Sequence, residues 1–138
     1  MRETKMKSTT TIALLFVILS LPISTLSQSF GASYIPNSPA ELHFNERVRI
    51  RFSYDHRKMG EQVLFITPYT NGEPTPNATT RTPSVLSGIG VGETYFTVQG
   101  GIHVNVDSLR FRFTYADRIR VMYEYFRPVD YTFTSAKN

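Results

Sequence analysis

Alternation with a period of two residues constrains this chain more than any other pattern. In residues 47–54, Val48, Ile50, Phe52 and Tyr54 fall on one side of an extended backbone, and Arg47, Arg49, Arg51 and Ser53 on the other. In residues 109–115, Leu109, Phe111, Phe113 and Tyr115 alternate with Arg110, Arg112 and Thr114. Residues 118–125 set Ile119, Val121, Tyr123 and Tyr125 against Arg118, Arg120, Met122 and Glu124. Successive side chains of a strand point to opposite faces, so each stretch reads as a half-buried strand. Ala116-Asp117 is expected to close the last two into a tight hairpin.

Residues 62–69 are apolar on both faces and suit a central strand, with Pro68 at its end or on an edge because it has no N–H to donate. Thr70-Asn71-Gly72-Glu73-Pro74 is a turn by chemistry, since Asn and Gly tolerate positive φ. A long loop from Thr75 to about Leu86 follows, strand returns at 92–98, and Tyr131-Thr132-Phe133 can form a short last strand. No helical period occurs after the first segment. About seven strands in about 100 residues predict an all-β antiparallel sandwich whose two inner faces make the core, with a small closed β-barrel as the alternative.

The first 27 residues carry a different pattern. Arg2, Lys5 and Lys7 precede a short apolar run from Ile12 to Leu19, and Pro22 and the small residues Ser24, Thr25 and Ser27 follow. That order is the secretory signal pattern, with cleavage expected after Ser27. The run is shorter than the roughly 20 residues of a membrane-spanning helix, so no span is expected after cleavage. A secreted or periplasmic domain follows from this reading. Residues 28–39, rich in Ser and Pro, read as a flexible arm, and residues 40–138 as the sandwich domain. Residues 1–27 hold three of the fifteen basic residues and one of the eleven acids, which lowers the net charge from +4 to +2 for the rest. So small a charge gives a nucleic-acid partner little support. The chain has no cysteine, whereas small exported domains usually rely on disulfides. Nine of the ten phenylalanines and all eight tyrosines lie after residue 27 and must therefore supply the core.

Three segments carry a resemblance. Thr-Pro-Tyr-Thr-Asn-Gly-Glu-Pro-Thr-Pro-Asn (67–77), Gly-Ile-Gly-Val-Gly-Glu-Thr-Tyr-Phe-Thr-Val (88–98) and Arg-Pro-Val-Asp-Tyr-Thr-Phe (127–133) are similar to segments of an immunoglobulin-like β-sandwich module of exported bacterial proteins. Val106 to Arg110 matches its Val-Asp-x-Leu-Arg strand. The module is often repeated in large extracellular chains, and the likeness spans roughly residues 40–133. It implies an immunoglobulin-like fold and an extracellular setting, and it brings no catalytic or ligand-binding residues with it.

Candidate sites are few. Gly88, Gly90 and Gly92 fail as a phosphate loop, because Glu93 and no Lys-Ser/Thr pair follow and no helix opens there. Alternate glycines more simply let a strand bend or let an aromatic ring pack on bare backbone. His43, His56 and His103 have no ligand spacing between them, and Asp55-His56-Arg57, expected in a hairpin-like turn, points its neighbours apart. No serine sits in a nucleophile elbow. No catalytic residue, metal or cofactor is therefore expected, and the leading reading is a non-enzymatic binding or structural module. The alternative is an enzyme inhibitor or a hydrolase working from its loops, with a rigid protruding loop around residues 75–86.

Arginine is the feature with binding potential. Ten of the twelve basic residues after residue 27 are Arg. Arg49, Arg51, Arg110, Arg112, Arg118 and Arg120, together with Arg47, are assigned to the polar faces of three strands. Outward positions repeat every ~6.5–7 Å, so such a ladder can match the charges of an anionic glycan or of a cell-surface protein. It can equally be a solvated face whose charges protect strand edges. Phe30, Tyr34, Tyr69, Tyr95 and Phe126 are candidates for stacking on the faces of a glycan, neutral or anionic. Asn77-Ala78-Thr79 fits the N-glycosylation acceptor pattern.

Overall fold

The alternating stretches become strands of two stacked sheets. The computed structural model describes residues 29–136, so the expected signal peptide and its cleavage at Ser27 lie outside the described residues. In chain order the strands are β1 (Ser29–Ile35), β2 (Ala40–His43), β3 (Arg47–Asp55), β4 (Gln62–Thr70), β5 (Glu73–Pro74), β6 (Ala78–Thr80), β7 (Ser84–Leu86), β8 (Ile89–Val98), β9 (His103–Tyr115) and β10 (Val121–Thr134). One sheet runs β1-β3-β8-β6, and the other runs β2-β10-β9-β4-β5 with β7 also paired to β4. An order of A-B-E-D in one sheet and C-F-G in the other defines the immunoglobulin sandwich. The strands β1, β3, β8, β6 and β4, β9, β10 reproduce it, so the expected fold class holds and the barrel does not. Seven strands are four residues or longer, and three are shorter. All pairings are antiparallel except β2 with β10, which is parallel.

Residues 29–35 correct the expected flexible arm: they form the edge strand β1, paired along its length with β3. Phe30, Ala32 and Tyr34 face the core at alternate positions, a period hidden by the Ser and Pro around them. The chain then changes sheets, so that β1 serves one layer and β2 the other. The buried Tyr131 fixes this crossing by donating its hydroxyl proton to the Pro36 carbonyl at 2.7 Å.

The core lies between the sheets. Val48, Ile50, Phe52 and Phe96 come from one layer, and Leu64, Ile66, Leu109, Phe111, Phe113, Tyr131 and Phe133 from the other. Each fully buried side chain of this size stabilises the fold by about 1.5–3 kcal/mol. Rings bridge the layers: Phe30 stacks on Phe52 at 5.8 Å and meets Phe113 edge-on at 5.1 Å. Phe113 in turn stacks on Tyr123 at 4.4 Å, and Phe111 on Tyr125 at 5.2 Å. Burial pushes the Tyr123 phenol strongly up, and the Tyr125 phenol up to about 12 against the opposing charge of Arg127.

The turns follow the residues that permit them. Asn71 (φ 52°) and Gly72 (φ 81°) make the two-residue link between β4 and β5. The 56–61 segment is not a hairpin turn, because β3 and β4 belong to different sheets. The link between β9 and β10 is also longer than expected. Asp117 Oδ1 accepts from the N–H groups of Ile119 and Arg120 at 2.9 and 3.0 Å, and Arg118 takes φ 64°. Residues 116–120 are therefore turn rather than hairpin plus strand, and Ile119 is 81 % exposed. A register shift between Val121 and Tyr123 puts Val121 out of phase with Tyr123.

Two of the alternate glycines serve close packing. Phe52 stands opposite Gly92 and Tyr54 opposite Gly90 across β3 and β8. A Cβ on Gly92 would lie 2.4 Å from Phe52 Cζ, and one on Gly90 would lie 2.8 Å from the Tyr54 hydroxyl. The rings thus fill the space that side chains would need. Gly92→Ala is expected to lower stability by about 1–3 kcal/mol in urea unfolding, because Phe52 must leave its rotamer. Gly100→Ala, with nothing within 4 Å of its Cβ, is expected to stay within about 1 kcal/mol of the parent.

Candidate functional site

The arginines divide by sheet. Arg47, Arg49 and Arg51 stand on the outer face of β3, and Arg110 and Arg112 on the outer face of β9 in the opposite layer. Outer faces of a sandwich look away from each other, so no single ladder exists. On β3 the charges are already engaged. Arg49 and Arg51 both reach the Glu93 carboxylate, at 2.7 and 3.1 Å, and hold it below the usual carboxylate range. Arg47 lies over the Tyr95 ring at 4.0 Å. Beside them a shallow depression of about 720 Å³ is lined by Gly31, Ala32, Ser33, Phe52, Ser53 and Gly92, with Arg51, Val91 and Glu93 at its sides.

The second face is more selective. A smaller concavity of about 190 Å³ on the outside of the six-stranded sheet is lined by Phe65, Thr67, Thr82, Arg110, Arg112, Thr114, Arg118, Ile119 and Val121. β9 supplies Arg110, Arg112 and Thr114, because Leu109, Phe111 and Phe113 between them are held in the core. β4 supplies Phe65 and Thr67 in register with Arg112 and Arg110. The turn after β9 folds Arg118 and Ile119 against the same wall, which the positive φ of Arg118 makes possible.

Three of the six candidate arginines therefore meet, and three do not. Arg110 is aimed by its neighbours: its guanidinium donates to the Tyr69 hydroxyl at 2.8 Å and to Thr67 Oγ1 at 3.2 Å. Its buried Nε has no partner among the described residues. Arg112 is paired with Glu124 at 2.7 Å. Arg118 forms no ion pair among the described residues, and no carboxylate lines the concavity. Arg120 leaves the group, folding back onto Asp117 at 2.6 Å and over the Tyr115 ring at 4.6 Å. Its guanidinium and two backbone N–H donors pull the Asp117 carboxyl down to about 2.

The sequence left Phe65, Thr67, Thr82, Ile119 and Val121 out of this face. Phe65 and Thr67 fall at alternate positions of an apolar strand, so pattern alone cannot say which side is outside. Thr82 comes from the connection between β6 and β7, and no local signal could have placed it. Most candidate stacking rings are committed elsewhere: Phe30 and Tyr34 pack against the core, and Tyr69 is buried, with Phe126 edge-on to it at 5.1 Å. Phe126 itself stays half-exposed. The 75–86 segment does not protrude, because β6 binds it to one sheet and β7 to the other.

Among the described residues no group of three His, Cys, Asp or Glu gathers at one place. Asp55 turns away from His56, and its two oxygens take hydrogen bonds from Arg57 at 3.0 and 2.8 Å. His56 is a core residue: 1 % exposed, packed 5.5 Å from the Tyr54 ring and 5.9 Å from that of Phe113. Neither ring nitrogen has a hydrogen-bond partner, and burial pushes its pKa below the ordinary histidine value against the pull of Asp55.

Neither a family model nor a curated protein matches the sequence. Among solved structures the chain is similar to the crystal structure of the periplasmic chaperone SfaE, with a TM-score of 0.48 and 6 % identity over 78 % of this chain. It covers 58 % of that chaperone's length.

Because burial lowers the His56 pKa in the fold relative to the unfolded chain, the unfolded state binds more protons as pH falls through about 6.5, and stability falls as pH drops. His56→Leu is expected to flatten this slope between pH 7 and 5 in urea titrations. An unchanged slope would assign it to other groups.

Proposed function

We propose that the domain is an exported, non-enzymatic binding module that takes one acidic group of a surface glycan in the concavity on the outer face of its six-stranded sheet. The observation that carries this reading is the convergence of Arg110, Arg112 and Arg118 on one depression whose lining holds no carboxylate. A volume of about 190 Å³ suits a single carboxylate, sulfate or phosphate group. It is below the ~300–1,000 Å³ of sites that enclose a whole small molecule. Arginine presents its N–H donors in a planar fork that matches such groups in pairs. Thr67 and Thr82 add hydroxyls beside them, which suits sugar ligands, and Phe65, Ile119 and Val121 give an apolar wall for a ring face.

The site is open to solvent, so each contact is screened and weak. Useful affinity then comes from a repeating ligand or from several domains acting together. Export rests on the charged and apolar pattern of residues 1–27, and the extracellular setting on the likeness of residues 67–77, 88–98 and 127–133 to the bacterial module.

An array of sulfated and carboxylated polysaccharides, polyglutamate and neutral dextran tests the reading. Binding to the acidic polysaccharides is expected, weakening as salt rises. Arg112→Ser with Arg118→Ser is expected to reduce it at least tenfold, and Arg49→Ser with Arg51→Ser to leave it within twofold. Preference for polyglutamate would move the ligand class to acidic proteins. Binding that persists in the first double variant would remove the site.

A further inference from the structure

Strand β8 has one side that another strand covers only at its end. β6 pairs only with its residues 96–98, after which the chain leaves for the other sheet as β7. The Tyr95 carbonyl accepts from the Arg81 N–H on that side, and the Thr94 hydroxyl donates to the Arg81 carbonyl. Backbone groups of a strand alternate in direction, so the N–H and C=O of Glu93 and Val91 point the same way as those of Tyr95. Among the described residues nothing meets them there. The long edge of β10 is handled differently: Pro128 removes a donor, a register shift follows it, and the Asp130 N–H is taken by Ser38 Oγ at 2.7 Å. Such devices keep foreign strands away. Residues 89–93 of β8 have no proline, lysine or register shift, and they expose Ile89 at 63 % and Val91 at 82 %.

We propose that this stretch of β8 is a strand-addition site for an extended peptide with apolar or β-branched side chains at alternate positions. Main-chain hydrogen bonds to Val91 and Glu93 would hold the peptide, and the side chains beside Ile89 and Val91 would select it. Charge narrows the choice further. Arg49 and Arg51 share the single Glu93 carboxylate, so the local balance is positive and favours an acidic over a basic peptide, with an uncharged residue directly opposite Glu93. A second folded copy fits less well. Five residues of edge span only ~17 Å, and edge pairing alone falls short of the roughly 1,000 Å² that a stable interface buries. This site lies on the sheet opposite the arginine concavity, and it stands or falls without it.

A display library of nine-residue linear peptides, selected on the protein and followed by amide hydrogen exchange, tests the proposal. Selected peptides are expected to alternate apolar residues and to slow exchange of the Val91 and Glu93 amides at least tenfold. Val91→Pro, which deletes a donor the fold does not use, is expected to weaken binding at least tenfold. The exchange map stands by itself if that variant folds poorly. Failure to select any peptide, protection mapped elsewhere, or undiminished binding by a folded Val91→Pro protein would overturn it. A dimer that Val91→Pro dissolves would assign the edge to a second copy instead.

Discussion

The contact of Phe30 with Phe52 in its own sheet and with Phe113 in the opposite one is the join on which the sandwich depends. A domain without cysteine has no disulfide to tie its layers together. Here aromatic rings take that place, from Phe30 through Phe113 to Tyr123, with Phe111 and Tyr125 alongside. The rings can approach because Gly90 and Gly92 leave the facing backbone bare. Size in the rings and absence of side chain in the glycines are thus one device. It also explains why His56 sits unpartnered in the same cluster: a ring of suitable shape fills the end of the layer, at the expense of two unmet nitrogens.

The same join sets up the outer faces. With Leu109, Phe111 and Phe113 locked inward, β9 has no freedom to slip, since a one-residue shift would expose every one of them. Arg110 and Arg112 are therefore fixed outward opposite Thr67 and Phe65. A well-held strand is a suitable support for a binding group, because its side chains lose less freedom when a ligand arrives. The turn at 116–120 completes the concavity through Asp117, whose carboxylate organises the backbone that carries Arg118.

Much of this architecture was legible in the chain. Alternation located β3, the second half of β9 and the start of β10, an apolar run located β4, and the Asn71-Gly72 pair located a turn; the expected short last strand at 131–133 is the far end of the same β10. What alternation reports is the face of a strand, not the sheet it joins, which is why Arg49 and Arg110 read alike and yet lie on opposite sides of the molecule. β1 was obscured by flanking Ser and Pro, although Phe30, Ala32 and Tyr34 keep the period. Residues 118–121 misled for a local reason. Ile119 continues the right parity, but the Asp117 side chain caps the backbone and delays the strand, and the register shift after Val121 turns that residue outward. Thr82 joins the concavity through a change of sheet that no short pattern encodes.

The claim that three arginines act together at one face can be tested directly by observing their side chains. In a titration of the protein with a sulfated disaccharide at constant ionic strength, the Nε–Hε resonances of Arg112 and Arg118 are expected to shift together and saturate, with Arg110 following. Those of Arg49 and Arg51, on the outer face of the opposite sheet, are expected to stay in place. Equal, unsaturating shifts of all five, or no shift at Arg112 and Arg118, would contradict a site on the six-stranded sheet.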